Sequence, residues 1–270
     1  MKRRNFLQFV TAAALVAAHG PVLAVVSGAG RTRFTIFPGD GMADTPTGVL
    51  SRSYGPLAAH VSEKLGRPAS VHIARTDRAL DRPSVQGADF LLASGTTAAR
   101  LILTGKFEPV LRSTHMSGGA FLTADPKIKT FASGLRVATA NDDIWLHRIS
   151  RLVLAQRGIS PAEFILANEA NLVRYLLEGR TDVVSLREEI AMPMADNGAT
   201  LLGRLPATPD MTILAASSLG RGERDALVDA VLSLPDTAMQ SLQRGVGAPV
   251  PGFVATNATE YKTLLDAMRV

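Results

Sequence analysis

Short runs of apolar residues alternate along the chain with segments in which apolar residues recur every three or four positions. The runs at residues 34–37 and 90–93 predict buried strands. Residues 56–65 carry apolar side chains near one face and stop at Gly66, which predicts a helix. The same patterns predict further strands near residues 70–74, 107–112, 119–123, 136–140, 163–167, 183–185, 200–202 and 211–215. They predict further helices ending near residues 103 and 157, and at 170–178, 188–195, 223–234, 237–243 and 260–268.

The order of these elements predicts the fold class. Strands that alternate with helices are typical of α/β proteins, so we expect mainly parallel sheets flanked by helices. Residues 38–53 are rich in Gly, Pro, Thr and Ser and predict an unusually long loop. The rhythm alone is compatible with one doubly wound sheet or with two lobes.

Composition narrows the possible chemistry. The chain has 270 residues and no cysteine, which excludes a disulfide framework, a thiol nucleophile and thiolate zinc ligands. The motifs of serine hydrolases, P-loop proteins and dinucleotide-binding enzymes are absent from the sequence. Asp143 and His147 could face one ion from a predicted helix, and Glu169 could join them as a third ligand. The histidines lack the spacing of zinc sites, so we expect neither a metal nor a cofactor.

The N-terminus has the pattern of an export signal. Lys2, Arg3 and Arg4 precede an apolar run at residues 6–18, and small residues follow, so we predict a signal peptide over residues 1–24. The two arginines favour the twin-arginine route, with an ordinary secretion signal as the alternative. The apolar run is too short for a membrane anchor. Removal of the segment takes away three basic residues and no acidic one, which lowers the formal net charge from +5 to +2 and argues against nucleic-acid binding.

Several segments, in order, resemble the periplasmic phosphate/phosphite/phosphonate-binding proteins of ABC importers. They are residues 34–38, 54–66, 87–93, 135–140, 158–164, 172–184 and 219–234. The resemblance implies a two-lobed α/β fold, the type 2 periplasmic-binding fold, with a ligand cleft between the lobes. It places lobe 1 at residues 32–114 plus 212–270 and lobe 2 at 117–208. Gly118 and Gly119 would then form a hinge, since glycine absorbs dihedral change easily.

The pocket positions depart from this family. Its members hold an oxyanion at the start of the first helix of lobe 2, where this chain has Asn141, Asp142 and Asp143. Two carboxylates there would repel a bound dianion, which indicates a pocket adapted to a cationic, zwitterionic or neutral solute. The alternative is that they only complement the dipole of their own helix.

Further ligand contacts are implied where the family has pocket residues. The family's tyrosines after the second and third strands are replaced, a family histidine corresponds to Glu169, and a family acidic residue corresponds to Arg187. The complete set of expected contacts is Thr76, Asp77, Ser94, Gly95, Thr96, Asn141, Asp142, Asp143, Glu169 and Arg187.

The resemblance implies a periplasmic binding protein that delivers a small polar solute to an ABC permease. A ligand sensor, or an accessory protein of a redox or cofactor-assembly system, is the alternative. An enzyme on the same fold is less expected, because the sequence offers neither an activated nucleophile nor a convincing acid–base pair.

Overall fold

The computed structural model describes residues 30–38, 45–75, 77–141, 144–246 and 250–269, so the predicted signal peptide lies outside the described residues. The strands are β1 Thr32–Ile36, β2 Ala69–Ile73, β3 Phe90–Ser94, β4 Phe107–Ser113, β5 Met116–Thr123, β6 Arg136–Ala140, β7 Glu163–Ala167, β8 Val183–Arg187, β9 Thr200–Pro209, β10 Met211–Ala216 and β11 Phe253–Ala255. The helices are α1 Thr47–Leu65, α2 Asp77–Leu80, α3 Pro83–Gln86, α4 Gly95–Leu103, α5 Ile144–Gln156, α6 Glu169–Leu177, α7 Glu188–Asp196, α8 Arg221–Leu232, α9 Asp236–Val246 and α10 Lys262–Ala267.

The strands form two sheets, each flanked by helices. The first has the order β11-β4-β10-β3-β1-β2, and the second has the order β7-β6-β8-β5-β9. In the first sheet β1 runs parallel to both β2 and β3, and in the second β6 runs parallel to both β7 and β8. Each sheet therefore contains one parallel three-strand unit of the kind that alternating strands and helices predict.

The sheets differ from the expectation of mainly parallel pairing, because both are mixed. In the first sheet β10 is antiparallel to β3 and β4, and in the second β5 is antiparallel to β8 and β9. The reason lies in the connections between the sheets. β5 and β10 each begin where the chain arrives from the other sheet, at the end where β8 and β3 finish, so they run in the opposite direction to those strands.

Helix α1 begins at Thr47, so the prediction of a loop over residues 38–53 is wrong for its second half. Gly48, Gly55 and Pro56 obscured the start of a helical pattern whose buried face includes Leu50, Tyr54, Leu57 and Val61. These residues are spaced by three or four positions and pack against α8 and α9. Tertiary packing therefore outweighs the low helix propensity of this stretch.

The apolar core continues from one sheet to the other. Helix α10 packs against α4 beside the first sheet and against α5 beside the second. Its buried residues Leu264 and Ala267 belong to one cluster with Leu101 of α4 and with Leu146 and Ile149 of α5. This contact and the strand connections together join the two halves of the molecule. Within the described ranges, no helix has the length and apolar character needed to cross a bilayer.

Candidate functional site

Two short connections carry the chain between the sheets. Thr114 and His115 lie between β4 and β5, and Asp210 alone separates β9 from β10. Met116 pairs with Pro209 on one side of the connections, and β4 pairs with β10 on the other side. The two connections therefore cross between the sheets side by side, as an antiparallel pair.

The strand register places the ends of the parallel strands beside these connections. Ser94, the last residue of β3, pairs with Met211, the first residue of β10. Arg187, the last residue of β8, pairs with Gly119, which lies three residues after Met116 and therefore about 10 Å from it along the strand. Since β1 and β2 run with β3, and β6 and β7 run with β8, the carboxyl ends of both units face the connections. Ligands of α/β sheets bind beyond such strand ends, so the space between the two sets of ends is the candidate site.

The turn at residues 94–97, after β3, lines the first side of this cleft. Ser94 caps helix α4: its Oγ accepts a hydrogen bond from the Thr97 N–H at 3.4 Å and donates one to Thr97 Oγ1 at 3.1 Å. The same Oγ lies 3.2 Å from Thr96 Oγ1. Local hydrogen bonds thus order three hydroxyl groups at the start of a helix, where the backbone dipole favours negative charge.

Gly95 contacts the connection between the sheets through its backbone. Its N–H donates a hydrogen bond to the carbonyl oxygen of Asp210. A Cβ atom on Gly95 would lie 2.0 Å from the carbonyl oxygen of Pro209, so only glycine fits at this position. The Gly95 N–H is therefore directed at the connection, and a contact between Gly95 and a ligand stays a prediction.

The second side of the cleft carries Asn141, Glu169 and Arg187 at the ends of β6, β7 and β8. Asn141 is exposed, and its N–H donates to the carbonyl oxygen of Ala167 at 2.9 Å. Glu169 is half-buried at the first position of α6, where the helix dipole stabilises its carboxylate. Arg187 is half-buried immediately before α7. Opposite charges therefore lie at the ends of β7 and β8, the two strands on either side of β6.

Trp145 positions the Arg187 side chain. The indole is 4% exposed, and its Nε1 donates a hydrogen bond of 2.6 Å to Thr208 Oγ1 on β9. The guanidinium carbon of Arg187 lies 4.3 Å from the centre of the indole ring, a cation–π contact. Because the ring is fixed by Thr208, it holds the cation near the cleft. Trp145 is the only tryptophan of the chain.

Gly118 and Gly119, expected to be a hinge, are buried inside β5, and neither has a positive φ. A Cβ atom on Gly118 would lie 2.4 Å from Glu188 Oε2, and Glu188 forms an ion pair with Arg204. A Cβ atom on Gly119 would lie 2.7 Å from the carbonyl oxygen of Leu186. The structure therefore explains the two glycines by close packing, because neighbouring atoms leave little room for a side chain. Their role as a hinge stays a prediction.

The structure places six of the expected ligand contacts at the facing strand ends: Ser94, Gly95, Thr96, Asn141, Glu169 and Arg187. Thr76, Asp142 and Asp143 lie outside the described residues, and for Asp77 the structure describes only its backbone, at the start of α2.

Sequence reasoning missed Asp210. One of its carboxylate oxygens lies 3.1 Å from His115 Nδ1, and the other accepts a hydrogen bond of 3.0 Å from Ser117 Oγ. The only signal in the sequence was a lone acidic residue at the predicted return connection, between Pro209 and Met211. The contacts depend on residues more than 90 positions away, so no local pattern could reveal them.

His147 does not form a metal site with described residues. Burial lowers the pKa of its imidazole, and the nearby cations Arg151 and Arg148 lower it further. The expected partner Asp143 lies outside the described ranges. In the part of the chain that the structure describes, no three His, Asp or Glu side chains come together in a way that could hold a metal ion.

The two sheets, the paired connections and the facing strand ends define a two-lobed protein of the periplasmic-binding class. Over residues 42–261 the chain matches the family model described as "ABC transporter, phosphonate, periplasmic substrate-binding protein". The chain therefore belongs to this family, whose members bind small solutes and work with ABC permease components. The family resemblance and the fold class expected from the sequence are confirmed. No curated protein matches the chain.

Solved structures support the fold at low sequence identity. XAC2383 from Xanthomonas citri bound to ATP has a TM-score of 0.67 and 14% identity, with 88% of this chain and 97% of that chain covered. PhnD1 from Prochlorococcus marinus in complex with methylphosphonate has a TM-score of 0.57 and 14% identity, with coverage of 88% and 97%. A binding protein component of an ABC phosphonate transporter from Pseudomonas aeruginosa has a TM-score of 0.50 and 12% identity, with coverage of 88% and 84%.

Proposed function

We propose that the chain binds a small polar solute between two lobes in the periplasm and delivers it to the permease of an ABC importer. Lobe 1 comprises residues 32–114 plus 212–270, and lobe 2 comprises residues 117–208. The observation that carries the proposal is the register of the strands, which turns the carboxyl ends of both parallel units toward the paired connections. A protein with this task needs to close over its solute, not to carry out a reaction on it.

The proposed ligand contacts come from both lobes: Thr76, Asp77, Ser94, Gly95, Thr96, Asn141, Asp142, Asp143, Glu169 and Arg187. In this set Gly95 contributes the close approach of its backbone, since its N–H is bonded to Asp210. Glu169 and Arg187 supply opposite charges on one edge of lobe 2. This pairing suits a zwitterionic solute better than a simple dianion, which would face Glu169 as well as Arg187.

The single tryptophan provides a direct binding assay. A solute that contacts or displaces Arg187 changes the environment of the Trp145 indole, so its fluorescence should change in a saturable way. Titrations with phosphate, methylphosphonate, amino acids and aliphatic amines are compared with thermal unfolding under the same conditions. A solute at about 100 times its dissociation constant adds about 2.7 kcal/mol, a rise in Tm of several degrees.

The matched control is Trp145→Phe, which removes the fluorescence signal but leaves the thermal shift of a true ligand measurable. If no solute produces both a saturable fluorescence change and a thermal shift, the binding proposal is wrong. The charge of the ligand is read from two variants. Loss of affinity in Arg187→Gln indicates an anionic group, and loss in Glu169→Gln indicates a cationic one.

Transport and sensing are separated in cells. For an importer component, uptake of the labelled solute falls when the chain is absent and returns when it is supplied. Uptake that does not depend on the chain would favour the sensor or accessory role.

We also propose export by the twin-arginine route, guided by residues 1–24. Replacement of Arg3 and Arg4 by lysine keeps the positive charge but should stop export by that route, as measured by periplasmic fractionation. Continued export of the Lys-Lys variant would identify an ordinary secretion signal.

A further inference from the structure

Asp210 joins the two connections between the lobes through its side chain. It is the only residue of the second connection, and its carboxylate reaches His115 and Ser117, which flank the start of β5 on the first connection. The Asp210 side chain is only 19% exposed, so solvent weakens these hydrogen bonds less than it would on an open surface. The two connections therefore share one carboxylate.

The backbone of Asp210 adds a third partner, the turn at residues 94–97. The Gly95 N–H donates to the Asp210 carbonyl oxygen, and the lack of space at Gly95 keeps the turn against Pro209. A ligand that shifts this turn must also shift Asp210. We name the set of Asp210, His115, Ser117 and Gly95 the Asp210 junction.

We propose that Asp210 is the positioning residue that fixes the relative orientation of the lobes and carries movement of the 94–97 turn to both connections. The inference rests on the proposed function, in which the lobes move. Closure of a two-lobed protein changes the dihedral angles of a few connecting residues. Because the Asp210 carboxylate of the second connection is hydrogen-bonded to His115 on the first connection and to Ser117 at the start of β5, the two connections change together, and the lobes adopt a small number of defined orientations.

Removal of the carboxylate separates the two connections. Loss of its hydrogen bonds should change the ratio of the main orientation to the alternatives by about tenfold. The predicted variant is Asp210→Ala. Asp210→Asn keeps the shape and one acceptor for Ser117, so its effect should be intermediate, and it also serves if the alanine variant fails to fold.

The test measures the distance between the lobes in the full chain without any solute. The chain has no cysteine, so Ala59→Cys on α1 and Asp196→Cys on α7 accept spin labels at only these two positions. Double electron–electron resonance then gives the distribution of interlobe distances. We expect a narrow distribution for the parent protein and, for Asp210→Ala, a second population that is about ten times larger than in the parent.

The matched control is Asp182→Ala. Asp182 bonds to Arg136 within the second sheet and has a side-chain exposure of 27%, similar to that of Asp210. An unchanged distribution in Asp210→Ala, or an equal broadening in Asp182→Ala, would overturn the proposal. Because no solute is involved, these outcomes are independent of whether the search for a ligand succeeds.

Discussion

Replacement of Gly119 by alanine tests whether the two glycines of β5 serve packing or flexibility. The new Cβ atom would lie 2.7 Å from the carbonyl oxygen of Leu186 on the neighbouring strand β8, and 3.1 Å from Leu205 Cδ1. The Leu186 carbonyl oxygen belongs to the backbone and cannot turn away from the new Cβ atom, so strands β5 and β8 have to move apart. Overpacking of this kind costs about 1–3 kcal/mol, and alanine recovers about 0.5–1 kcal/mol of backbone entropy.

Gly118 is the matched control, because its obstacle can move away. A Cβ atom there meets Glu188 Oε2, the end of a side chain that is 48% exposed. Glu188 can turn into solvent at the loss of its exposed ion pair with Arg204, worth about 0–1 kcal/mol, and the entropy gain of alanine offsets that loss. Gly118→Ala should therefore leave the free energy of unfolding nearly unchanged, whereas Gly119→Ala should lower it by about 1–2 kcal/mol.

Urea unfolding at equilibrium measures both variants. We expect a lower midpoint with an unchanged slope for Gly119→Ala, and a fall in Tm of about 2–8 °C. The Trp145 emission should also change, because Trp145 Cζ3 lies 3.4 Å from the new Cβ position. Equal destabilisation in the two variants, or a larger effect at Gly118, would refute the packing argument and favour a need for glycine dihedral freedom.

Three further variants test hydrogen bonds that the structure shows. Tyr261→Phe removes a buried bond of 2.7 Å to Thr212 Oγ1 and should destabilise the protein by about 1–2 kcal/mol in urea unfolding. Ser94→Ala removes the cap of α4 and should cost about 1 kcal/mol and weaken solute binding in the fluorescence titration. The hydrogen bond from Arg136 lowers the pKa of Asp182, so its stabilisation is present above the unfolded pKa of about 4 and is lost as pH falls through the folded value. Asp182→Asn should therefore flatten the acid limb of the stability–pH curve measured by thermal unfolding.

The sequence revealed most of the strands and helices because apolar periodicity depends on local burial. The parallel units were predicted from patterns such as that at residues 90–93, where a short apolar run is followed by a polar turn and a helix. Helix α1 was located only from residue 56, since its glycines and Pro56 are poor helix formers. The helix is held instead by packing on α8 and α9, which its local sequence does not reveal. The mixed direction of the sheets was missed because direction depends on where the chain enters each sheet.

The site could be predicted only at the ends of strands. Ser94, Asn141 and Arg187 were expected in the pocket from the family resemblance. They lie at the ends of apolar runs, and parallel strands bring such ends to one edge, which agrees with that expectation. The hydrogen-bond partner of each polar group cannot be predicted from the sequence pattern. Gly95 was expected only as a ligand contact, and its sequence surroundings give no sign that a connection formed more than 100 residues later accepts the hydrogen bond of its N–H.

The position of the cleft and the choice of solute are set by different parts of the chain. The end of β3 pairs with the start of β10, and the end of β8 pairs with β5 near its start, so both parallel units end beside the connections. Any sequence that keeps this register therefore keeps a cleft. In the proposed function the solute depends instead on a few side chains beyond the strand ends, such as Glu169 and Arg187, which substitution can alter without disturbing the sheets. A family fold is therefore compatible with a changed pocket. Among the described glycines, Gly95 leaves the least room for a side chain, because a Cβ atom there would collide with the backbone that joins the lobes.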